Sequence, residues 1–154
     1  MAKAGERLEL RQVEPSRAEA TPETDKSTRV VRVLLVDDNE DFRRAIFDVL
    51  RPSPAFAIVG EAIDSIAALR QIARLTPDVV LMDVSLPVMN GLEATRLVNQ
   101  LRPGIRVIML LPMVSDEYQT AAIASGALCS IAKERVVEEL VPTLLAVTTH
   151  FGPD

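Results

Sequence analysis

The sequence predicts an α/β domain, a doubly wound five-stranded parallel sheet with helices on both faces. Three observations lead there. Short, nearly continuous apolar runs alternate with amphipathic stretches. Pro, Gly or Asp bounds the runs. Charged residues stand directly after several of them. A strand that is apolar on both faces needs cover on both, as strands have in a parallel sheet between two helical layers.

The first run is Val31 to Val36 (VRVLLV). After it, Phe42, Ala45, Ile46, Val49 and Leu50 recur at helical spacing and make one apolar face. Phe56 to Gly60 (FAIVG) is the second run, and Asp64 caps the helix that carries Leu69, Ile72 and Ala73. The third run is Asp78 to Met82 (DVVLM), followed by a helix containing Leu97, Val98 and Leu101 that Pro103-Gly104 ends. Ile105 to Leu111 (IRVIMLL) is the fourth. Ser115 then suits the N-cap of a helix through Ala124, with Asp116 and Glu117 at its positive end and Gly126 as its stop. The fifth run is Ala127 to Ala132 (ALCSIA). A last helix should begin near Val136 or Val137 and run through His150, with a kink or a late start because Pro142 removes a backbone bond.

Composition sets the limits. A chain of 154 residues suits one core, and 48% hydrophobic residues are enough to build it, chiefly from Val, Leu, Ile and Ala since only one Tyr, four Phe and no Trp are present. Residues 1–29 are charge-balanced and broken by Pro, so they are expected to form a disordered tail, with a turn or two of helix at Leu8, Leu10 and Val13 at most. The folded domain is expected over residues 30–150, with a short tail at 151–154. The net charge of -5 argues against direct nucleic-acid binding, which would need a basic stripe. A single cysteine, Cys129, excludes an internal disulfide framework and a Cys-cluster metal site, and reads as a small buried hydrophobe. No apolar run reaches the ~18 residues needed to cross a bilayer, so a cytoplasmic location without membrane contact is expected. Met109 and Met113 read as packing, and Arg43-Arg44 as a solvated face.

In doubly wound sheets, ligands bind beyond the carboxyl ends of the strands. Here Asp37-Asp38 follow the first run, Asp83 the third and Lys133 the fifth; Lys133 is also the only lysine after Lys26. If those strands are neighbours, three carboxylates and one ammonium converge on one rim. Like charges so close repel and raise one another's pKa unless something neutralises them. A hard divalent cation with oxygen ligands does so, and Mg²⁺ takes one or two carboxylates plus phosphate oxygens. A carboxylate beside a cation and a lysine is a phosphoryl-handling arrangement, able to act as a nucleophile and form an acyl phosphate.

VRVLLVDDNEDFRRAI, VVLMDVSLPVMNGLEA and GALCSIAKE occur in that order, with 45 residues from Asp38 to Asp83 and 50 from Asp83 to Lys133. Together they resemble the receiver domain of two-component response regulators over roughly residues 30–148. Residues 116–118 (DEY) and the overall spacing look most like receivers attached to helix-turn-helix transcription factors. The resemblance implies a flavodoxin-like fold with strand order 2-1-3-4-5. It implies Asp83 as phosphoacceptor and Lys133 as a phosphoryl contact. Mg²⁺ would be held by Asp37, Asp38, Asp83 and the backbone carbonyl of Ser85, while Pro87 and Gly91 match the turn after the acceptor strand. The partners it implies are a histidine kinase or phosphotransfer protein and a downstream protein target. A homodimer through the helix 4–strand 5–helix 5 face is a further implication.

The chain departs from the family at the switch. Where receivers end the fourth strand with Thr or Ser, this sequence has Leu111, and no Ser or Thr occurs from Gly104 through Val114. The aromatic three residues before the lysine is Ser130, and the Pro after the lysine is Glu134. Two readings follow. One is a stand-alone receiver, with no output domain after Asp154, that signals through protein contacts. The other is a phosphorylation-independent binding module that keeps the acidic pocket without the switch. A haloacid-dehalogenase-type phosphatase wants a second Asp where Ser85 stands, and a cap insertion this length cannot hold, so no enzymatic turnover is expected.

Overall fold

The computed structural model describes residues 29–149. The expected tails, apart from Arg29, lie outside the described residues, as does His150. The elements are β1 (Val31–Val36), α1 (Glu40–Leu50), β2 (Phe56–Ala62), α2 (Ser65–Leu75), β3 (Val79–Asp83), α3 (Gly91–Leu101), β4 (Arg106–Leu111), α4 (Asp116–Ser125), β5 (Cys129–Ala132), a single 3-10 turn (Lys133–Arg135) and α5 (Val136–Val147). The strands make one parallel sheet in the order β2-β1-β3-β4-β5. This is the flavodoxin-like receiver arrangement expected from the sequence.

Strand pleat divides the core into two layers. On one face Leu34, Val36, Val80, Met82, Val107, Met109 and Leu111 pack with Ala68 and Ile72 of α2, Ala94 and Val98 of α3, and Ala122 of α4. The alternate residues Val33, Leu35, Val79, Leu81, Ile108 and Leu110 are equally buried. On α1 and α5, which pack together, the buried residues are Ile46, Leu50, Val136, Leu140 and Leu144. Each fully buried aliphatic side chain contributes roughly 1.5–3 kcal/mol, and every residue of central β3 is buried. Register brings the strand ends to one rim in small steps, β3 ending one residue beyond β1, and β4 and β5 one residue beyond β3. Val36 pairs with Ala62 and Met82, Asp83 with Leu110, and Leu111 with Ala132.

Helix starts follow cap chemistry. Asp64 Oδ1 accepts from the Ala67 N–H at 2.7 Å and Ser115 Oγ from the Tyr118 N–H at 3.2 Å, as expected. Asn39 and Asn90 cap α1 and α3 in the same way, at 3.0 Å each. Gly126, at φ 106°, stops α4 in the left-handed conformation that glycine tolerates.

Several boundaries differ from the sequence reading, among them the starts of β3 at Val79 and β4 at Arg106, each one residue late. β2 runs on to Ala62, and β3 runs through Asp83 because the ladder with β4 extends to Leu110. β5 begins at Cys129, two residues late, since Leu128 is exposed and only its N–H reaches Val107. The last helix starts at Val136, where the sequence reading placed it, and continues through Pro142 without the late start offered as an alternative. Burial of Val136, Leu140 and Leu144 offsets the one missing bond, and the helix ends at Val147 under a Thr148 cap.

Gly91 joins β3 to α3 at a distance no side chain fits. Its N–H donates to the Val84 carbonyl at 2.9 Å, and a Cβ there would stand 2.2 Å from the Asp83 carbonyl oxygen. Gly91→Ala should therefore lower stability by about 1–3 kcal/mol, read as a reduced urea midpoint by far-ultraviolet circular dichroism. An unchanged midpoint would show that the junction has slack.

Candidate functional site

Four sequence-predicted residues meet at the C-terminal rim of the sheet. Asp37, directly after β1, is 0% exposed, and Asp83, the last residue of β3, is 2% exposed. Asp38 is exposed. One carboxylate oxygen from each of the three lies within 4.8 Å of the others. Lys133, at the first position after β5, reaches over from the far side. Its Nζ stands 2.6 Å from Asp37 Oδ2 and 3.4 Å from Asp83 Oδ2. Asp37 thus makes the closer contact with the ammonium as well as belonging to the acidic trio.

Local turns aim the carboxylates. Asp37 Oδ1 accepts from the Asn39 N–H at 2.9 Å and Asp83 Oδ1 from the Ser85 N–H at 3.0 Å, two Asx turns of the same form. Ser85 is exposed beside Asp83. Asp37 Oδ2 is buried, and the Lys133 ammonium is its ion-pair partner. Two buried carboxylates and an exposed one, with an oxygen of each within 4.8 Å of the others, fit a hard cation.

Burial pushes the Asp83 carboxyl above its ordinary value. The charge of Asp37 adds to the rise, while the Ser85 N–H and Lys133 oppose it. Burial likewise raises the Cys129 thiol, so it is a poor thiolate source.

Two supporting residues were not legible as such in the sequence. Phe42, expected only on the apolar face of α1, places its ring 4.6 Å from Lys133 Nζ, a cation–π contact that holds the ammonium over the pocket. Arg43, expected on a solvated face, has a side chain only 15% exposed and bonds to Glu61 and to the Asp37 carbonyl. Its neighbour Arg44 does face solvent, paired with Glu40 and Asp41. A helical-period count separates faces but cannot tell that one arginine at a face boundary turns inward. Met113 is a further correction. It is 54% exposed in the β4–α4 connection, where no second layer covers it.

The model of the response regulator receiver domain matches residues 33–145, and the chain belongs to that family. The transcriptional regulatory protein DegU of Brevibacillus brevis is 30% identical over 117 residues, covering 76% of this chain and 50% of that protein. Protein-glutamate methylesterase/protein-glutamine glutaminase 4 of Myxococcus xanthus is 37% identical over 105 residues, 67% of this chain but only 30% of that enzyme. Among solved structures, a LuxR-family two-component response regulator from Aurantimonas sp. SI85-9A1 superposes with a TM-score of 0.74 at 31% identity, over 78% of this chain and 86% of that one. The chain thus spans half or less of the length of these two curated relatives. Phosphorylation and Mg²⁺ binding at an acidic pocket are typical of receiver domains, as is interaction with histidine kinases or phosphotransfer proteins. No helix among the described residues is long and apolar enough to cross a membrane.

The raised Asp83 pKa has a thermodynamic sign. Ionising a carboxyl whose folded pKa exceeds its ordinary 3.8 costs folding free energy. That cost is absent below about 4 and complete once pH passes the folded value. Asp83→Asn should therefore melt higher than the wild type in metal-free buffer near neutral pH, with the gap narrowing as pH falls toward about 4. Thermal melts in chelator at several pH values test this. A variant no more stable than the wild type near neutrality would contradict it.

Proposed function

We propose that this receiver accepts a phosphoryl group on Asp83 from a histidine kinase or phosphotransfer protein and signals through protein–protein contacts. The observation that carries the reading is the convergence of the Asp37, Asp38 and Asp83 carboxylates within 4.8 Å, with the Lys133 ammonium beside two of them. The pocket is held on strand ends of fixed register, as a preorganised electrostatic site requires.

Roles follow from chemistry and position. An Asp83 carboxylate oxygen forms the new P–O bond as the donor's P–N bond breaks, leaving an acyl phosphate. Lys133 then has a phosphoryl anion within reach of its ammonium. Asp37, Asp38, Asp83 and the Ser85 carbonyl would hold Mg²⁺. When bound, that ion neutralises the carboxylates and the phosphoryl charge. The net charge of -5 supports protein rather than direct nucleic-acid partners. The favoured contact surface, for a target or a second copy, is the α4–β5–α5 face, where Ile123 and Leu128 stand about half exposed.

A second reading rests on the end of β4. Leu111 is 1% exposed within the core and offers no hydroxyl, and Ser130 is no aromatic. A pocket without those parts suits a binding module whose surface does not respond to phosphorylation.

Incubating the protein with a small-molecule phosphodonor and Mg²⁺, then weighing it, tests the first reading. A gain of one phosphoryl mass is expected, lost in Asp83→Asn. No gain would end it, whereas a gain with unchanged hydrogen exchange would favour the second. Leu111→Thr should restore a phosphorylation-dependent change in hydrogen exchange over β4 and α4. It should also cost about 2–4 kcal/mol of stability for lost core volume and a buried hydroxyl. An exchange pattern identical to that of the wild type in both states would refute the missing-hydroxyl account.

A further inference from the structure

The Asp37 carbonyl is held by a side chain that lies outside the acidic pocket. Arg43, in the first turn of α1, donates from Nη1 to that carbonyl at 2.8 Å and from Nε to Glu61 Oε1 at 2.7 Å. Glu61 is the next-to-last residue of β2, and its neighbour Ala62 accepts the Asp37 N–H at 3.0 Å. The edge strand therefore grips Asp37 on both sides, directly through Ala62 and indirectly through the Glu61–Arg43 pair.

We propose that Arg43 and Glu61 are positioning residues for the divalent-cation pocket, acting through the Asp37 carbonyl to orient Asp38; this rests on the Mg²⁺-dependent reading above. The Asp37 carbonyl and the Asp38 nitrogen belong to one rigid peptide plane. Fixing the carbonyl fixes the direction in which Asp38 leaves the strand. Burial constrains Asp37 and Asp83, whereas Asp38 is exposed. The Asn39 N–H secures the Asp37 carboxylate and leaves the tilt of the peptide to Arg43.

Charge and position predict opposite signs. A guanidinium is a full positive charge close to a cation site, so if charge alone mattered its removal would tighten Mg²⁺ binding. Positioning predicts weaker binding. Lysine separates the two further, because it keeps the charge but lacks the planar fork that bridges Asp37 and Glu61. Glu61→Gln removes a negative charge yet keeps an acceptor oxygen for Arg43.

The test is calorimetric Mg²⁺ titration of the full chain at constant ionic strength, alongside melting curves without metal. Arg43→Met and Arg43→Lys should each weaken Mg²⁺ binding by about tenfold or more, as loss of a ligand-orienting contact does. Glu61→Leu should weaken it by a smaller factor, and Glu61→Gln should stay near the wild-type value. Unchanged or tighter binding in Arg43→Met overturns the proposal, as does Glu61→Gln binding as poorly as Glu61→Leu. If Arg43→Met does not fold, Glu61→Leu decides, and wild-type affinity there overturns the proposal. A wild type that takes up no Mg²⁺ overturns the phosphoacceptor reading as well. A wild type that binds beside indifferent variants overturns this inference alone.

Discussion

Two carboxylates buried side by side, with one ammonium against both, are the constraint around which the rim of this sheet is organised. Asp37 and Asp83 are almost fully withdrawn from water, where an uncompensated charge costs several kcal/mol. Lys133 supplies part of the compensation, at 2.6 Å from one and 3.4 Å from the other. Asx-turn N–H groups supply more, yet burial, with the Asp37 charge adding to it, still holds the Asp83 carboxyl above its ordinary value. Such a pocket favours whatever brings a compact cation into it. The same burial of like charges is a source of instability in the metal-free pocket.

The fold serves that pocket by fixing the register of three strand ends at one rim. A parallel sheet buried on both faces has little freedom to slide, because a one-residue slip would exchange its two apolar faces. Asp37, Asp83 and Lys133 therefore keep their separations without direct covalent ties. The close approach of Gly91 to the Asp83 carbonyl locks β3 to α3. On the other side, α1 contributes Phe42 beneath the ammonium and Arg43 on the Asp37 carbonyl. One helical turn thus supports both the basic and the acidic members of the site.

At the end of β4 the same packing works against switching. A side chain that alternates between pocket and core needs two arrangements of similar energy. Leu111 has only one good environment, the apolar layer shared with Met109 and Ala122, and nothing polar to gain by leaving it. Ser130, paired with Met109 in register, has no ring to move into vacated space. The acidic–basic cluster and the conformational relay are therefore separable features of this domain: the side chains of the first stand together, and the second lacks its usual parts.

Strand runs, most helix faces, the Asp64 and Ser115 caps and the acidic-basic pattern were legible from the residues alone, because each depends on periodicity or on a neighbour within a few positions. The identity of the pocket residues was also legible, since the spacing of Asp38, Asp83 and Lys133 places each after a strand. Their mutual geometry was not. Nothing local shows that Lys133 lies closer to Asp37 than to Asp83, that Phe42 sits beneath it, or that Arg43 turns inward to Glu61 while Arg44 meets solvent. Those contacts join residues 18 to nearly 100 positions apart, and they arise only when β1 is inserted between β2 and β3. Local sequence thus determined which groups this protein carries to its rim; tertiary packing decided which of them touch, because charge compensation in a buried site depends on distances that only the closed sheet sets.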